Sequence, residues 1–89
     1  MKAVITVTGK DSVGIIAKVA ERCSSAGANI LDISQSVLQD YFAMIMLADV
    51  SAINCPFAEF VDGMTALGKE NGLCITTMHE DIFNAMHHI

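Results

Sequence analysis

Tyr41-Phe42-Ala43-Met44-Ile45-Met46-Leu47-Ala48-Asp49-Val50 is an almost unbroken apolar run, with Asp49 as its one charged residue. It holds neither Gly nor Pro. A short run of this kind, apolar at successive as well as alternate positions, reads as a strand with apolar residues on both faces. Such a strand belongs in the middle of a sheet rather than at its edge. The neighbouring segments must therefore supply strands to flank it and helices to cover it.

Immediately upstream, Asn29 to Leu38 reads as a second strand, with Leu31, Ile33 and Val37 on one face and Asp32, Ser34 and Ser36 on the other. Gln39-Asp40 joins the two as a hairpin turn, without the Gly that such turns favour. Further back, Ile15, Ile16, Val19, Ala20 and Cys23 fall at helical spacing, leaving Lys18, Glu21 and Arg22 toward water. Asp11 or Ser12 can cap this helix, and Ala26-Gly27 stops it, Gly27 suiting a left-handed end. The chain opens with Lys2 to Thr8, where Ala3, Ile5 and Val7 alternate with Val4, Thr6 and Thr8. Its β-branched content marks a first strand.

Downstream, Ser51 to Asn54 is a loop. Cys55-Pro56 opens a second helix, Pro56 fitting its first turn. Phe57, Phe60, Val61, Met64 and Leu67 make the apolar stripe, and Asn71-Gly72 ends it. Leu73 to Met78 is the fourth strand. His79 to Ile89 reads as a short third helix, with Ile82, Phe83, Met86 and Ile89 on one side.

The order β-α-β-β-α-β, with a central third strand and right-handed crossovers, predicts an α+β, ferredoxin-like sandwich. Its antiparallel sheet has strand order 4-1-3-2, with two helices on one face and a short C-terminal helix. We expect one domain over residues 1–89, its core in 1–78 and its tail helix in 79–89. The face away from the helices should carry Val4, Thr6, Thr8, Ser34, Ser36, Ile45 and Leu47. That mixture is too apolar to stay wet and too polar to be a core, so it reads as a dimer surface or a seat for the tail helix.

Composition narrows the function. The 89 residues are 53% hydrophobic, and a chain this short builds only a small core. The apolar surplus implies a partner surface, most simply a homodimer. The net charge is −5, with five cations scattered along the chain. No basic cluster exists to displace counterions from phosphates, which argues against nucleic-acid binding. No apolar run reaches the ~20 residues that span a membrane, and the start is too short and β-like for a signal peptide, so the expected location is cytoplasmic. Cys23, Cys55 and Cys74 are odd in number and widely spaced. They read as reduced, partly buried thiols acting as small hydrophobes, not as a disulfide framework or a zinc site.

The informative turn is Thr8-Gly9-Lys10-Asp11-Ser12-Val13-Gly14. Amides at a helix N-terminus carry partial positive charge and can hold a carboxylate. Gly14 leaves space for close approach. Asp11 offers a partner for an ammonium group, so a zwitterionic amino acid would find both charges here. Asn29 opens the second strand with an amide donor and acceptor and is expected near the same edge. The same residues also have purely structural readings: Asp11 as a cap, Gly14 as a packing residue, Asn29 as a turn former.

The strand Ala3 to Thr8, the turn Gly9-Lys10-Asp11-Ser12-Val13-Gly14-Ile15-Ile16 and the segment Gly27-Ala28-Asn29-Ile30-Leu31-Asp32-Ile33 resemble the ACT domain. Val4-Ile5-Thr6-Val7-Thr8-Gly9-Lys10-Asp11 and Asp32-Ile33-Ser34-Gln35-Ser36-Val37 are similar to the stand-alone ACT proteins and to the first half of glycine-cleavage-type transcriptional repressors. The likeness extends through the Phe83-Asn84-Ala85-Met86-His87-His88-Ile89 ending. It implies a βαββαβ regulatory module, usually dimeric and often binding an amino acid between two copies. The matched ligand-binding positions are Asp11, Ser12, Val13, Gly14, Asn29 and Ile30. Val13 stands where the family often has Pro. The chain carries no enzyme of its own, so its output must pass through another, unidentified protein.

Other constellations read as structural. His87 and His88 point about 100° apart on a helix, and His79 and His87 are too far apart for one face, which argues against a metal. Met44, Met46, Met64 and Met86 read as core fillers rather than copper ligands. Glu80 and Asp81 suit the first turn of a helix better than a catalytic pair. No serine has a His to activate it. No catalytic residue and no cofactor is expected. An acylphosphatase on this fold would need an Arg beside the phosphate, and a heavy-metal carrier paired cysteines in the first turn. Neither is present, which leaves a ligand-free interaction module as the main competitor of a sensor.

Overall fold

A computed structural model of the chain describes residues 1–10 and 14–86. The elements are β1 (Lys2–Gly9), α1 (Ile15–Ala26), β2 (Asn29–Leu38), β3 (Tyr41–Asp49), α2 (Phe57–Glu70), β4 (Cys74–His79) and α3 (Glu80–Met86). The strands form one antiparallel sheet in the order β2-β3-β1-β4, which is the expected 4-1-3-2 read from the other edge. The molecule is a slab 19 Å through its shortest axis, one sheet and one layer of helices deep.

The alternation in β1 sorts its residues as the sequence implies. Ala3, Ile5 and Val7 are buried toward the helices, and they share that side with Phe42, Met44, Met46 and Ala48 of β3. Against them lie Ile15, Val19, Cys23 and Ala26 of α1 and Phe60, Met64 and Leu67 of α2. The run Tyr41–Asp49 is central in the sheet, but only its helix side is closed; Tyr41 and Ile45 on the other side are exposed.

Glycine sets both ends of α1. Gly14 precedes it with φ 72°, and Gly27 follows with φ 83°, conformations that disfavour residues with a Cβ. At the C-terminal end the Gly27 N–H donates to the Ser24 carbonyl at 3.1 Å and the Ala28 N–H to the Cys23 carbonyl at 2.8 Å. Those two bonds satisfy carbonyls that the helix alone leaves open. The turn at Gln39-Asp40 is made without Gly by placing Gln39 at φ 55°. Pro56 sits just ahead of α2 as its cap, with φ −58° and ψ 145°, not inside its first turn.

β2 departs from simple alternation. The register against β3 shifts between Ile30 and Asp32, so Leu31 is the extra residue of a bulge. Ile33 and Val37 pair with Met46 and Phe42 and share their side; Leu31 does not belong to that face as simple alternation predicts. β2 is the sheet edge and, apart from half-buried Ile30, every residue in it is exposed.

α3 contacts β1 and β4. Val4 pairs with Leu47 and Met78 on the face away from α1 and α2, yet it is buried. Its burial marks where the tail helix lies: over the Val4 end of the open face. The rest of that face, from Thr8 and Ala43 to Ser36, stays uncovered. Ile82 and Met86 point outward, so α3 does not seat the whole predicted stripe; Ile89 lies outside the described residues.

Thr77 is on the helix side, paired with Ile5, and its Oγ1 is buried with no hydrogen-bond partner. An unpaired buried hydroxyl is unfavourable by about 1–3 kcal/mol, and valine has nearly its shape. Thr77→Val is therefore expected to raise stability by about 1 kcal/mol and Tm by about 4–8 °C in a domain this size. Thermal unfolding of the two proteins measures it.

Candidate functional site

The predicted site residues fall at two ends of the sheet. Gly9, the last residue of β1, pairs with Phe42, and Asn29, the first of β2, is level with Lys2 through Asp49. Seven residues of strand separate the two levels, roughly 24 Å at about 3.4 Å per residue. The reason is connectivity. α1 has 12 residues, runs back from the Gly9 end for about 18 Å, and delivers the chain to β2 at the opposite end. Asn29 therefore does not share an edge with Gly14 in one chain, contrary to the expectation from sequence.

Each predicted residue has a definite setting where it is described. Gly14 is exposed at the start of α1, its carbonyl accepting the Lys18 N–H at 3.1 Å. A Cβ there would meet nothing within 4 Å, so backbone conformation, not crowding, is what asks for glycine. Asn29 is exposed; Ile30 is half-buried against the core. Asp11, Ser12 and Val13, with the expected cap and ammonium partner among them, lie outside the described residues, as do His87 and His88.

At the Gly9 end the open face holds a groove of about 320 Å³ lined by Thr8, Gly9, Ser36, Leu38, Tyr41, Phe42 and Ala43. The Lys10 Nζ stands 5.7 Å from the Tyr41 ring centroid, within range of a cation–π contact at the rim. Sequence reading placed Thr8 and Ser36 on this face but missed Leu38 and Tyr41, two large apolar residues facing each other across a tight turn. A second hollow, about 370 Å³, lies between α1 and α2 and is lined by Lys18, Glu21, Arg22, Ser25 and Leu67. Its Lys18 is already engaged, Nζ donating to Asn71 Oδ1 at 2.6 Å.

The cysteines differ among themselves. Cys23 is buried, Cys55 half-buried, and Cys74 exposed, so Cys74 is not the partly buried thiol expected; all three are free. Among the described residues no group of three His, Cys, Asp or Glu is placed to hold a metal ion. No helix among them is long and apolar enough to cross a membrane. The Asp49 carboxyl is held below the usual carboxylate range, first by the Ser51 N–H it accepts at 2.9 Å. That contact closes the loop after β3 and has no link to either hollow.

The ACT domain family model matches residues 2–76, from the start of β1 into β4. The chain belongs to the ACT domain family. A UPF0237 protein of Clostridium acetobutylicum is 46% identical over 89 residues, the whole of both chains. The solved ACT domain protein from Streptococcus pneumoniae superposes with a TM-score of 0.81 at 39% identity, covering 98% of each chain. A structure assigned to a glycine cleavage system transcriptional repressor has a TM-score of 0.72 at 27% identity, covering 89% of this chain and 47% of that one. ACT domains are regulatory modules, and the relatives are ACT-domain proteins of a regulatory rather than a catalytic fold. The match ends at residue 76, within β4 and ahead of α3, while the Clostridium acetobutylicum relative aligns through the tail helix.

Proposed function

We propose that residues 1–89 form one domain that works as a homodimeric sensor, binding an amino acid or similar small zwitterion where two copies meet. The observation that carries this reading is the separation of Gly14 from Asn29 within one chain. A two-fold axis that sets the strands of two copies antiparallel carries the Asn29 end of each to the Gly14 end of the other. The ligand carboxylate would lie on the amides of Ser12, Val13 and Gly14, and its ammonium on Asp11, all from one copy. Asn29 and Ile30 would come from the second. The exposed apolar surface of Leu38, Tyr41 and Ile45 supports association. The module holds no reaction centre in this reading; ligand occupancy changes what the dimer presents to a further protein in the cytoplasm.

A thermal-shift panel of the twenty amino acids tests it. A ligand at about 100 times its Kd adds about 2.7 kcal/mol, a rise of roughly 10 °C or more here. Asp11→Ala and Asn29→Ala should each abolish the response. Mixing the two variants should restore part of it, because a mixed dimer keeps one of its two sites intact. Response without rescue would put the site inside one chain. No shift with any amino acid at millimolar concentration would reduce the protein to an interaction module.

A further inference from the structure

We infer that Asn71-Gly72, in the turn between α2 and β4, is a deamidation site that the fold keeps closed, with Lys18 of α1 as its clasp. Of the chain's four asparagines, only Asn71 precedes a glycine. The reaction needs water and base but no enzyme. The Gly72 amide nitrogen gives its proton to base and attacks the side-chain carbonyl carbon of Asn71. The bond from that carbon to Nδ2 breaks, and Nδ2 leaves as ammonia after taking a proton from water. A cyclic imide remains. Water opens it at one carbonyl to aspartate, or at the other to isoaspartate. Glycine favours the attack because it puts no Cβ beside the nitrogen.

Access to the turn is open, and its conformation is what opposes the reaction. Gly72 is exposed, and a Cβ there would meet nothing within 4 Å, so base and water reach its amide. Asn71, however, has φ −109° and ψ 10°. At that ψ the Gly72 nitrogen eclipses the Asn71 nitrogen and is turned away from Cβ, so the ring cannot close. Only rotation about ψ brings it round, because the peptide unit itself is rigid.

That rotation is resisted from the main chain and from the side chain. The Asn71 and Leu73 N–H groups donate to the Gly68 carbonyl at 3.1 and 2.8 Å, and the Gly72 N–H to the Lys69 carbonyl at 3.4 Å. The Asn71 amide is held at both its atoms. Nδ2 donates to the Leu67 carbonyl at 2.8 Å, and Oδ1 accepts from Lys18 Nζ at 2.6 Å. The Leu67 bond stays within α2, whereas the Lys18 bond ties the amide to a different helix. A cation on Oδ1 also draws charge from the carbon, which alone would ease attack. Position outweighs that polarisation, because an amide held in place never meets the nitrogen.

Once the turn opens and reacts, it does not recover. An aspartate at position 71 has no hydrogen for the Leu67 carbonyl. It also puts negative charge at the C-terminal end of α2, which the helix dipole disfavours. Isoaspartate lengthens the main chain just ahead of Leu73, whose carbonyl lies close against Gly68. The turn thus records local opening between α2 and β4.

The full chain, held at mildly alkaline pH with conversion of Asn71 followed by peptide mass spectrometry, tests this. The folded wild type should convert about tenfold slower or more than the same chain in urea, since a site that reacts only when open is slowed by its open fraction. Lys18 is exposed, so Lys18→Met should leave circular dichroism unchanged. That variant should convert several-fold faster than wild type when folded, and at the wild-type rate in urea. Asn71→Asp should have a lower Tm, despite the ion pair it offers Lys18. Equal rates for folded and unfolded wild type would overturn the closed site. A folded Lys18→Met protein no faster than wild type would overturn the clasp, and a slower one would make Lys18 a promoter of the reaction. These readouts need neither ligand nor dimer, so their failure leaves the sensor reading untouched.

Discussion

Gly68→Ala is expected to destabilise the protein by about 2 kcal/mol or more, lowering Tm by roughly 8–16 °C. The expectation runs against helix propensity, since alanine for glycine inside a helix normally gains about 1 kcal/mol. Sterics decide the sign. A Cβ at Gly68 would lie 2.8 Å from the Leu73 carbonyl oxygen, 2.9 Å from Ile75 Cγ1 and 3.0 Å from Ile75 N. Two of these are backbone atoms of the turn and strand that follow α2. The Leu73 N–H also donates to the Gly68 carbonyl at 2.8 Å, fixing the approach from a second direction. Neither side can retreat without lifting α2 from β4. Gly63→Ala, five residues earlier in the same helix, is the control. Its Cβ would meet only the Arg22 Nη1 at 3.3 Å, the mobile end of an exposed side chain. That variant should gain about 0.5–1 kcal/mol. Urea unfolding of both variants measures the contrast. Equal stabilisation of the two would mean that α2 does not approach β4 this closely.

Why the fold was legible while the site was not follows from the range of the signals. The apolar run Tyr41–Asp49 forces a central strand, and the spacing from Ile15 to Cys23 forces a helix over the sheet. Both are local patterns, and the strand order follows once crossovers are right-handed. The bulge at Leu31 left no trace, because a period-2 pattern reads straight through one extra residue. Gly68 looks like a weak point in a helical stripe, and only the position of β4 turns it into a contact. The placement of Asn29 depends on where α1 returns the chain, which is a product of helix length and strand direction rather than of any motif. The groove under Lys10 is built from three strands. Of its lining, only the nearness of Leu38 to Tyr41 across the turn was there to be read.

Alkaline pH should expose the second large effect, at Cys23. This thiol is fully buried on the inner face of α1, and burial pushes its pKa from 9.0 up to about 11. The unfolded chain loses its thiol proton near pH 9 and the folded chain keeps it until about 11. Between those values the unfolded state binds fewer protons, so stability falls as pH rises. The contribution is fully present below pH 9. It declines by at most about 2.7 kcal/mol by pH 11, at about 1.4 kcal/mol per pH unit. Solvent penetration into so small a core will reduce the figure. The comparison that isolates Cys23 is Cys23→Ala. The variant should be less stable at pH 7, by the small cavity it leaves, yet its loss of stability from pH 8.5 to 11 should be shallower. Urea midpoints across that range separate the two terms. Parallel curves for the two proteins would show that the Cys23 thiolate is not excluded by the fold. The core between α1 and the sheet would then be open to water where the packing of Val19, Cys23 and Met46 closes it.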